Sequence, residues 1–206
     1  MRIVVGAGAT LIVEPVAATL ALPGRARTLL ALDVAVEEGG RLVLDEAPLI
    51  VTAGAEVERR CTIELEAGAV AALRETVVLG RDGEPPGRLV STLRATLAGR
   101  ALLHDGLRLA PGGADAYVAL NPGHRVVATV GLLGARAEPA DGVLALARPG
   151  ALRRATGPSL AGVEAALADL WRTWTQMVAS VSSAARPSVA AISESRALQQ
   201  TWPPDA

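Results

Sequence analysis

Across 206 residues, 20 basic side chains, all of them arginine, nearly balance 21 acids, and the net charge of −1 gives no general attraction to nucleic-acid phosphates or anionic lipid. One cysteine, Cys61, cannot form an internal disulfide, and two histidines, His104 and His124, cannot complete a Cys/His zinc cage, a usage that fits a reducing cytoplasm. Half of the residues are hydrophobic but only 2% are aromatic, so Ala, Val and Leu must fill the core, and no apolar stretch reaches the ~18 residues that would span a bilayer.

The chain opens as strand, turn, strand. Arg2 followed by the apolar run Ile3 to Val13 has the outline of a secretory signal, but Gly6, Gly8 and Thr10 interrupt the run and Glu14-Pro15 closes it. Val4-Val5-Gly6-Ala7-Gly8 also begins like a dinucleotide loop. Leu11 stands where the third glycine belongs, and no useful helix can start before Pro15 to receive a phosphate.

Two later segments, Val34 to Glu46 and Ile63 to Glu75, are built like Ile3 to Glu14: a short β-type run, a Gly-containing turn, a second run and a terminal acid. A spacing of roughly thirty residues is that of stacked supersecondary units. The fold class is therefore mainly β, with stacked, solenoid-like β-coils. Glu14, Glu46 and Glu75 are expected to end equivalent strands and form a file of acids on one side. Pro23-Gly24, Pro48 and Gly54 supply turns between the units.

The stretch from Glu75 to Glu84 reads ETVVLGRDGE. Its local chemistry allows two readings. One is a hairpin with solvated charges in which Gly80 and Gly83 take positive φ. The other is an Arg81 fork, buried or half-buried, paired to Glu75 or Glu84 and presented to a partner.

Arg88 to Leu109 then predicts two strands around Ala98-Gly99. His104-Asp105-Gly106 offers a proton shuttle or metal ligand, although an Asp ahead of a glycine is more ordinary in a turn. A loop follows at Pro111-Gly112-Gly113, and a strand over Arg125 to Leu133 comes after Asn121-Pro122-Gly123. From the N-cap candidate Ser159, apolar residues at Leu160, Val163, Leu167, Leu170, Trp174, Met177 and Val181 fall on one helix face, ended by Pro187 at the latest. The organisation expected is a β-rich domain over 1–150, a C-terminal amphipathic helix within 151–185 packed on it or on a partner, and a flexible tail over 186–206. No Walker loop is available without lysine, and no Gly-x-Ser-x-Gly elbow occurs.

The ETVVLGRDGE pattern, an acid, an apolar strand, Gly-Arg and then Gly-Glu, resembles the UreD (also UreH) family of urease accessory proteins, in a short actinobacterial form. VAATLALPG at 16–24, STLRATLAGRALLHDGLRL at 91–109 and GHRVVATVGLL at 123–133 are similar to that family in the same order. GGRLVLDEAPLIV at 39–51 resembles its Trp-x-Pro-x-Pro segment, with Leu44 in place of the Trp and Glu46 in place of the first Pro. The likeness covers Met1 to Trp174. It departs at the start, where the family's Gly-Gly-x-x-x-Gly-Asp segment is not found, and after Trp174.

The resemblance implies a non-enzymatic, cytoplasmic scaffold that works with UreF, with UreG through UreF, and with apo-urease subunits, and that offers nickel a polar passage. Homodimerisation within such a complex is compatible with it. Partner-binding or nickel-path residues would be Glu46, Glu75, Gly80, Arg81, Glu84 and Asp105. No tight metal site and no tightly bound cofactor is expected; Glu46, Glu75, His104 and Asp105 would be weak transit ligands for Ni2+. Two other classes stay open: a carbohydrate-active β-solenoid using paired acids such as Glu75 and Glu84, against which the scarcity of aromatics speaks, and a β-domain adaptor with no metal role.

Overall fold

A computed structural model describes residues 1–110, 124–180 and the backbone of 191–193. The elements are β1 (Arg2–Val5), β2 (Thr10–Val13), β3 (Thr19–Ala21), β4 (Thr28–Val36), β5 (Arg41–Asp45), β6 (Leu49–Val51), β7 (Glu56–Leu65), β8 (Val70–Leu79), β9 (Arg88–Leu97), β10 (Arg100–Leu109), β11 (Val126–Leu133), β12 (Leu144–Ala145), β13 (Gly150–Gly157), α1 (Leu160–Ser180) and β14 (Ala191–Ser193). The protein is mainly β, as its repeats predict.

The repeats coil. β1, β4, β7 and β9 run parallel in one sheet, while β2, β5 and β8 run parallel in the other. Each turn of the chain visits both sheets, so Ile3, Val34 and Ile63 stand side by side. At the corner between the sheets, Gly8, Gly39 and Gly68 all take φ between 64° and 70°. The amide of Gly8 donates to Glu38 O at 2.9 Å and that of Gly39 to Ala67 O at 3.0 Å, so the corners stack as well as the strands. The Gly-Ala-Gly of the first unit is one of these corners and leads into β2, not into a phosphate-binding helix.

After three coils the connections become antiparallel. β9 and β10 form a hairpin through Ala98 (φ 47°) and Gly99 (φ 69°), two successive left-handed residues that suit the twist of the flanking strands. In the second sheet β11 adds antiparallel to β8, β13 to β11 and β12 to β13. The full orders are β10-β9-β7-β4-β1-β14 and β12-β13-β11-β8-β5-β2, with β6 beside β8 and β3 beside β6.

Helix α1 covers the outer face of the second sheet. Its start is capped by Ser159, whose Oγ accepts from Gly162 N at 3.2 Å. Val163, Leu167, Trp174 and Val178 are buried against Val126, Ala128, Val130 and Leu132 of β11 and Ala151 of β13. Arg41 of β5 donates to Val178 O at 3.3 Å and ties down the last turn. No helix among the described residues is long and apolar enough to cross a membrane.

Three expectations need adjustment. The segment assigned to the helix from 151 begins with β13, whose alternation of Ala151, Arg153 and Ala155 with Leu152, Arg154 and Thr156 fits a strand placed between β11 and β12. His104-Asp105-Gly106 lies within β10 and not in a turn, because pairing to β9 runs through it from Leu103 to Leu109. Residues 191–193, placed by sequence in the tail, pair as β14 with the open edge of β1. The Pro111–Gly113 loop, Asn121-Pro122-Gly123, Val181, Pro187 and the rest of the tail lie outside the described residues.

Candidate functional site: a polar belt through the core

Between the sheets the interior divides into two apolar clusters. One contains Ile3, Val34, Cys61, Ile63, Leu73, Leu93 and Leu133; the other contains Leu49, Val57, Val77, Leu89, Leu109 and Val127. A polar residue marks the boundary on five of the long strands, but not on β4, where Leu30 and Leu32 follow one another. On β7 Arg59 stands between Val57 and Cys61, on β8 Glu75 between Leu73 and Val77, and on β9 Ser91 between Leu89 and Leu93. On β11 Thr129 follows Val127 by two, and on β10 Asp105 lies between Leu103 and Leu107.

Strand register lines up all of these but Asp105, which is opposite Leu93 and not Ser91. Arg59 is opposite Ser91, Glu75 opposite Thr129, and Thr129 opposite Arg154 of β13. Glu46, just past β5, continues the parallel ladder by donating its amide to Arg74 O at 3.0 Å, which sets its side chain beside Glu75.

Arg59 is the centre of one end. Its Nη2 donates to Glu46 Oε1 at 2.5 Å and its Nη1 to Glu75 Oε2 and to Ser91 Oγ, the last at 3.2 Å. Burial opposes charge on Arg59, but the Coulomb attraction of Glu75 and Glu46, with the hydrogen bond to Glu46, outweighs it and holds the proton more firmly than on a free arginine. Cys61, two residues along β7, has its thiol pushed up to about 12 by burial first and then by the negative charge of Glu46, so it stays a neutral thiol. At the other end Arg154 donates to Thr129 Oγ1 at 3.0 Å and pairs with Asp105, bridging the second sheet to the edge strand of the first.

The Arg59 end is open. A pocket of about 380 Å³ is lined by Met1, Leu29 and Leu30 toward its mouth and by Glu46, Arg59 and Glu75. Arg59 and Glu75 are under 10% exposed, whereas the side chain of Glu46 retains 24%. Charges are therefore accessible from outside yet set among apolar walls.

The acids singled out by sequence divide. Glu46 and Glu75 converge on Arg59 as one cluster. Glu14 does not join them: the register Val13 to Leu44 and Asp45 to Arg74 makes Glu14 the equivalent of Asp45 and Arg74, one residue out of step. One residue reverses the face of a strand. Glu14 and Asp45 accordingly line a separate groove with Trp171 beneath α1, where Arg74 pairs bidentately with Asp45 and lies 5.1 Å over the Trp171 ring. His104, next to Asp105, faces the opposite side of β10 for the same reason and is exposed. Among the described residues no three His, Cys, Asp or Glu are grouped to hold a metal ion.

Arg81 pairs with Glu84 and not with Glu75. Its Nε and Nη2 reach Glu84 Oε2 and Oε1, each at 3.0 Å, and its amide donates to Glu84 Oε2 at 2.9 Å. The pair is on the surface, as in the solvated-hairpin reading and not the buried one: Gly80 (φ 73°) and Gly83 (φ 69°) are left-handed, Gly80 turns the chain out of the sheet, and a Cβ there would lie 2.7 Å from Glu84 O. The buried arginine that the ETVVLGRDGE segment calls for is Arg59, supplied by the neighbouring sheet, and the residue that holds the turn is Arg125, which donates to the carbonyls of Leu79, Arg81 and Glu84. Glu75 and Glu84 each serve a different arginine and do not face one another as a glycosidase pair would.

The Arg81 contacts, side-chain bond first and backbone bond second, push the Glu84 carboxyl down to about 2. A carboxylate lowered on folding stabilises the fold above its unfolded value, in the ordinary carboxylate range, and loses that contribution as pH falls through the folded value. Arg81→Ala should thus lower the thermal midpoint slightly at pH 7, and its difference from the unmodified protein should shrink as pH falls from about 5 toward 2. A difference that stays constant over that range would contradict the pairing.

A family match fixes what kind of chain carries this belt: the description UreD urease accessory protein applies over residues 1–191. The chain belongs to the UreD family. The match runs beyond Trp174, where the sequence resemblance stops. The UreD protein of Streptomyces avermitilis is 39% identical over 171 residues, 81% of this chain and 62% of the relative. The UreD protein of Streptomyces coelicolor is 38% identical over 73% of this chain and 65% of its own length, and UreD 1 of Streptomyces griseus subsp. griseus 37% over 84% and 70%. The chain thus spans less than two thirds of the first two UreD relatives.

Proposed function

We propose that this chain is a non-catalytic scaffold of urease maturation that acts in the cytoplasm with UreF, with UreG through UreF, and with apo-urease, and that nickel travels along the polar belt. The observation that carries the reading is the belt itself. A core of this size gains no stability from setting four buried polar side chains, Arg59, Glu75, Ser91 and Thr129, across its middle, since buried polar groups must be matched one by one and the apolar alternative folds as well. Family membership supplies the task, and the open end at Glu46 supplies an entry.

The chemistry suits transit. Carboxylates of Glu46, Glu75 and Asp105, with hydroxyls of Ser91 and Thr129, offer oxygen ligands without a closed set of nitrogen or sulfur donors, so a borderline cation is bound weakly and released. An adaptor with no metal role accounts for the surface but leaves the belt unexplained.

Glu46→Gln is the test. It retains the shape and a hydrogen bond to Arg59 at a partly exposed position. In cells making urease, activation should fall to a small fraction of the wild-type level, while soluble protein and recovery of UreF and apo-urease on the tagged chain remain normal. Full activation would remove the belt from the nickel route, and no recovery of either partner would remove the scaffold role.

A further inference from the structure

The inference below rests on reading the belt as a cation path, and it concerns what keeps that path from becoming a trap. Two carboxylates from consecutive coils converge on the two terminal nitrogens of a single guanidinium: Glu46 on Nη2 and Glu75 on Nη1. With the guanidinium gone those two carboxylates would face the same space, and a first-row divalent cation bonds carboxylate oxygen at about 2.0–2.2 Å. The place between them that such an ion would take is filled by Arg59. Being an arginine, it cannot step aside by losing its proton.

We propose that Arg59 sets how tightly this end of the belt holds a divalent cation: its guanidinium occupies the facing oxygens of Glu46 and Glu75, and an ion binds between them only by displacing it. Three features agree. The cluster of Arg59, Glu46 and Glu75 has a formal charge of −1, short of the −2 that two free carboxylates would present, and Arg60 on the pocket wall weakens the pull on a cation further. The pocket reaches all three side chains, so an incoming ion meets them directly. Ser91 Oγ, 3.2 Å from Nη1, offers the arginine a contact it can retain when a carboxylate is taken from it. Exchange of this kind gives weak, reversible binding without changing any ligand. Arg59 is in this sense a positioning residue, acting on the cargo through the two glutamates.

The test is Ni2+ affinity of the purified full chain by calorimetric titration, repeated with Co2+ for its visible absorption. Arg59→Gln should bind Ni2+ at least tenfold more tightly than the unmodified protein, a change of 1.4 kcal/mol. Arg59→Lys, which leaves a cation in place, should stay near the unmodified affinity, and Arg59→Gln with Glu75→Gln should lose the gain. If Arg59→Gln is too unstable to titrate, the same displacement is read from its melting: added Ni2+ should raise its midpoint well beyond the rise given to the unmodified protein, with Mg2+ at equal concentration raising it less. An Arg59→Gln protein that neither binds more tightly nor is rescued by Ni2+, or a gain that survives loss of Glu75, overturns the proposal. These readouts are separate from urease activation. Tighter binding by Arg59→Gln combined with full activation by Glu46→Gln would leave the role of Arg59 standing and remove the delivery reading.

Discussion

Replacing Arg59 by Met should destabilise the protein by about 3–5 kcal/mol, because the change leaves two carboxylates without a counter-charge, Glu75 nearly fully buried and Glu46 only partly reached by water. For a chain of this length that loss lowers the melting midpoint by roughly 6–20 °C. The loss comes from the uncompensated partners and not from the arginine's own contacts. Neutralising them as well, in Arg59→Met with Glu46→Gln and Glu75→Gln, should therefore recover most of the stability, since a buried ionic cluster replaced by neutral groups of similar volume is often neutral or stabilising. Differential scanning calorimetry of the single and triple variants decides it. If the triple variant melts as low as the single one, Arg59 contributes by packing and not by charge. Recovery of the fold without recovery of urease activation is the outcome expected if the belt is kept for what it carries.

The parallel coils were legible in the sequence because their signal is repetitive. Ile3, Val34 and Ile63 begin three similar segments and stand in register, with a left-handed glycine at each corner. The acids at the segment ends were harder to place, since Glu46 and Glu75 lie one residue further along their coils than Glu14 does. Alignment by residue type put all three in one file, whereas hydrogen-bond register puts Glu14 on the other face.

Arg59 went unnoticed for a different reason. In Glu58-Arg59-Arg60 it looks like part of a charged surface run, and only the alternation Val57, Arg59, Cys61, Ile63, Leu65 shows that it points inward. Reading each strand for a polar residue at an otherwise apolar alternate position would have found Arg59, Glu75, Ser91 and Thr129 together. Arg81 stands out locally because acids flank it, yet the arginine that meets Glu75 comes from a strand that no local pattern links to it. Strand β13 is hidden because Arg153-Arg154 breaks its apolar pattern; Arg154 lies on the inner face near the sheet edge, exposed to solvent, where Thr129 and Asp105 receive it.

Trp174 offers the other large effect. It is 2% exposed, the largest fully buried side chain among the described residues, in a cluster whose other buried members are Ala, Val and Leu. Small neighbours on a sheet cannot close over the space a lost indole leaves, so Trp174→Ala should cost about 3–5 kcal/mol, again a fall of roughly 6–20 °C in the midpoint. Trp171, three residues and nearly one turn earlier in the helix, is half-buried and has Arg74 over its ring, a contact of about 0.5–1 kcal/mol where water reaches it; Trp171→Ala should shift the midpoint far less. Both measurements belong on the isolated chain. There the loss at Trp174 reports docking of α1 on its own sheet, because no partner is present to supply the surface. Equal midpoints for Trp174→Ala and the unmodified protein would mean that the helix gains its stability elsewhere, and a further loss of UreF binding in Trp171→Ala alone would show that the exposed half of this face, beside Glu14 and Asp45, is turned toward a partner.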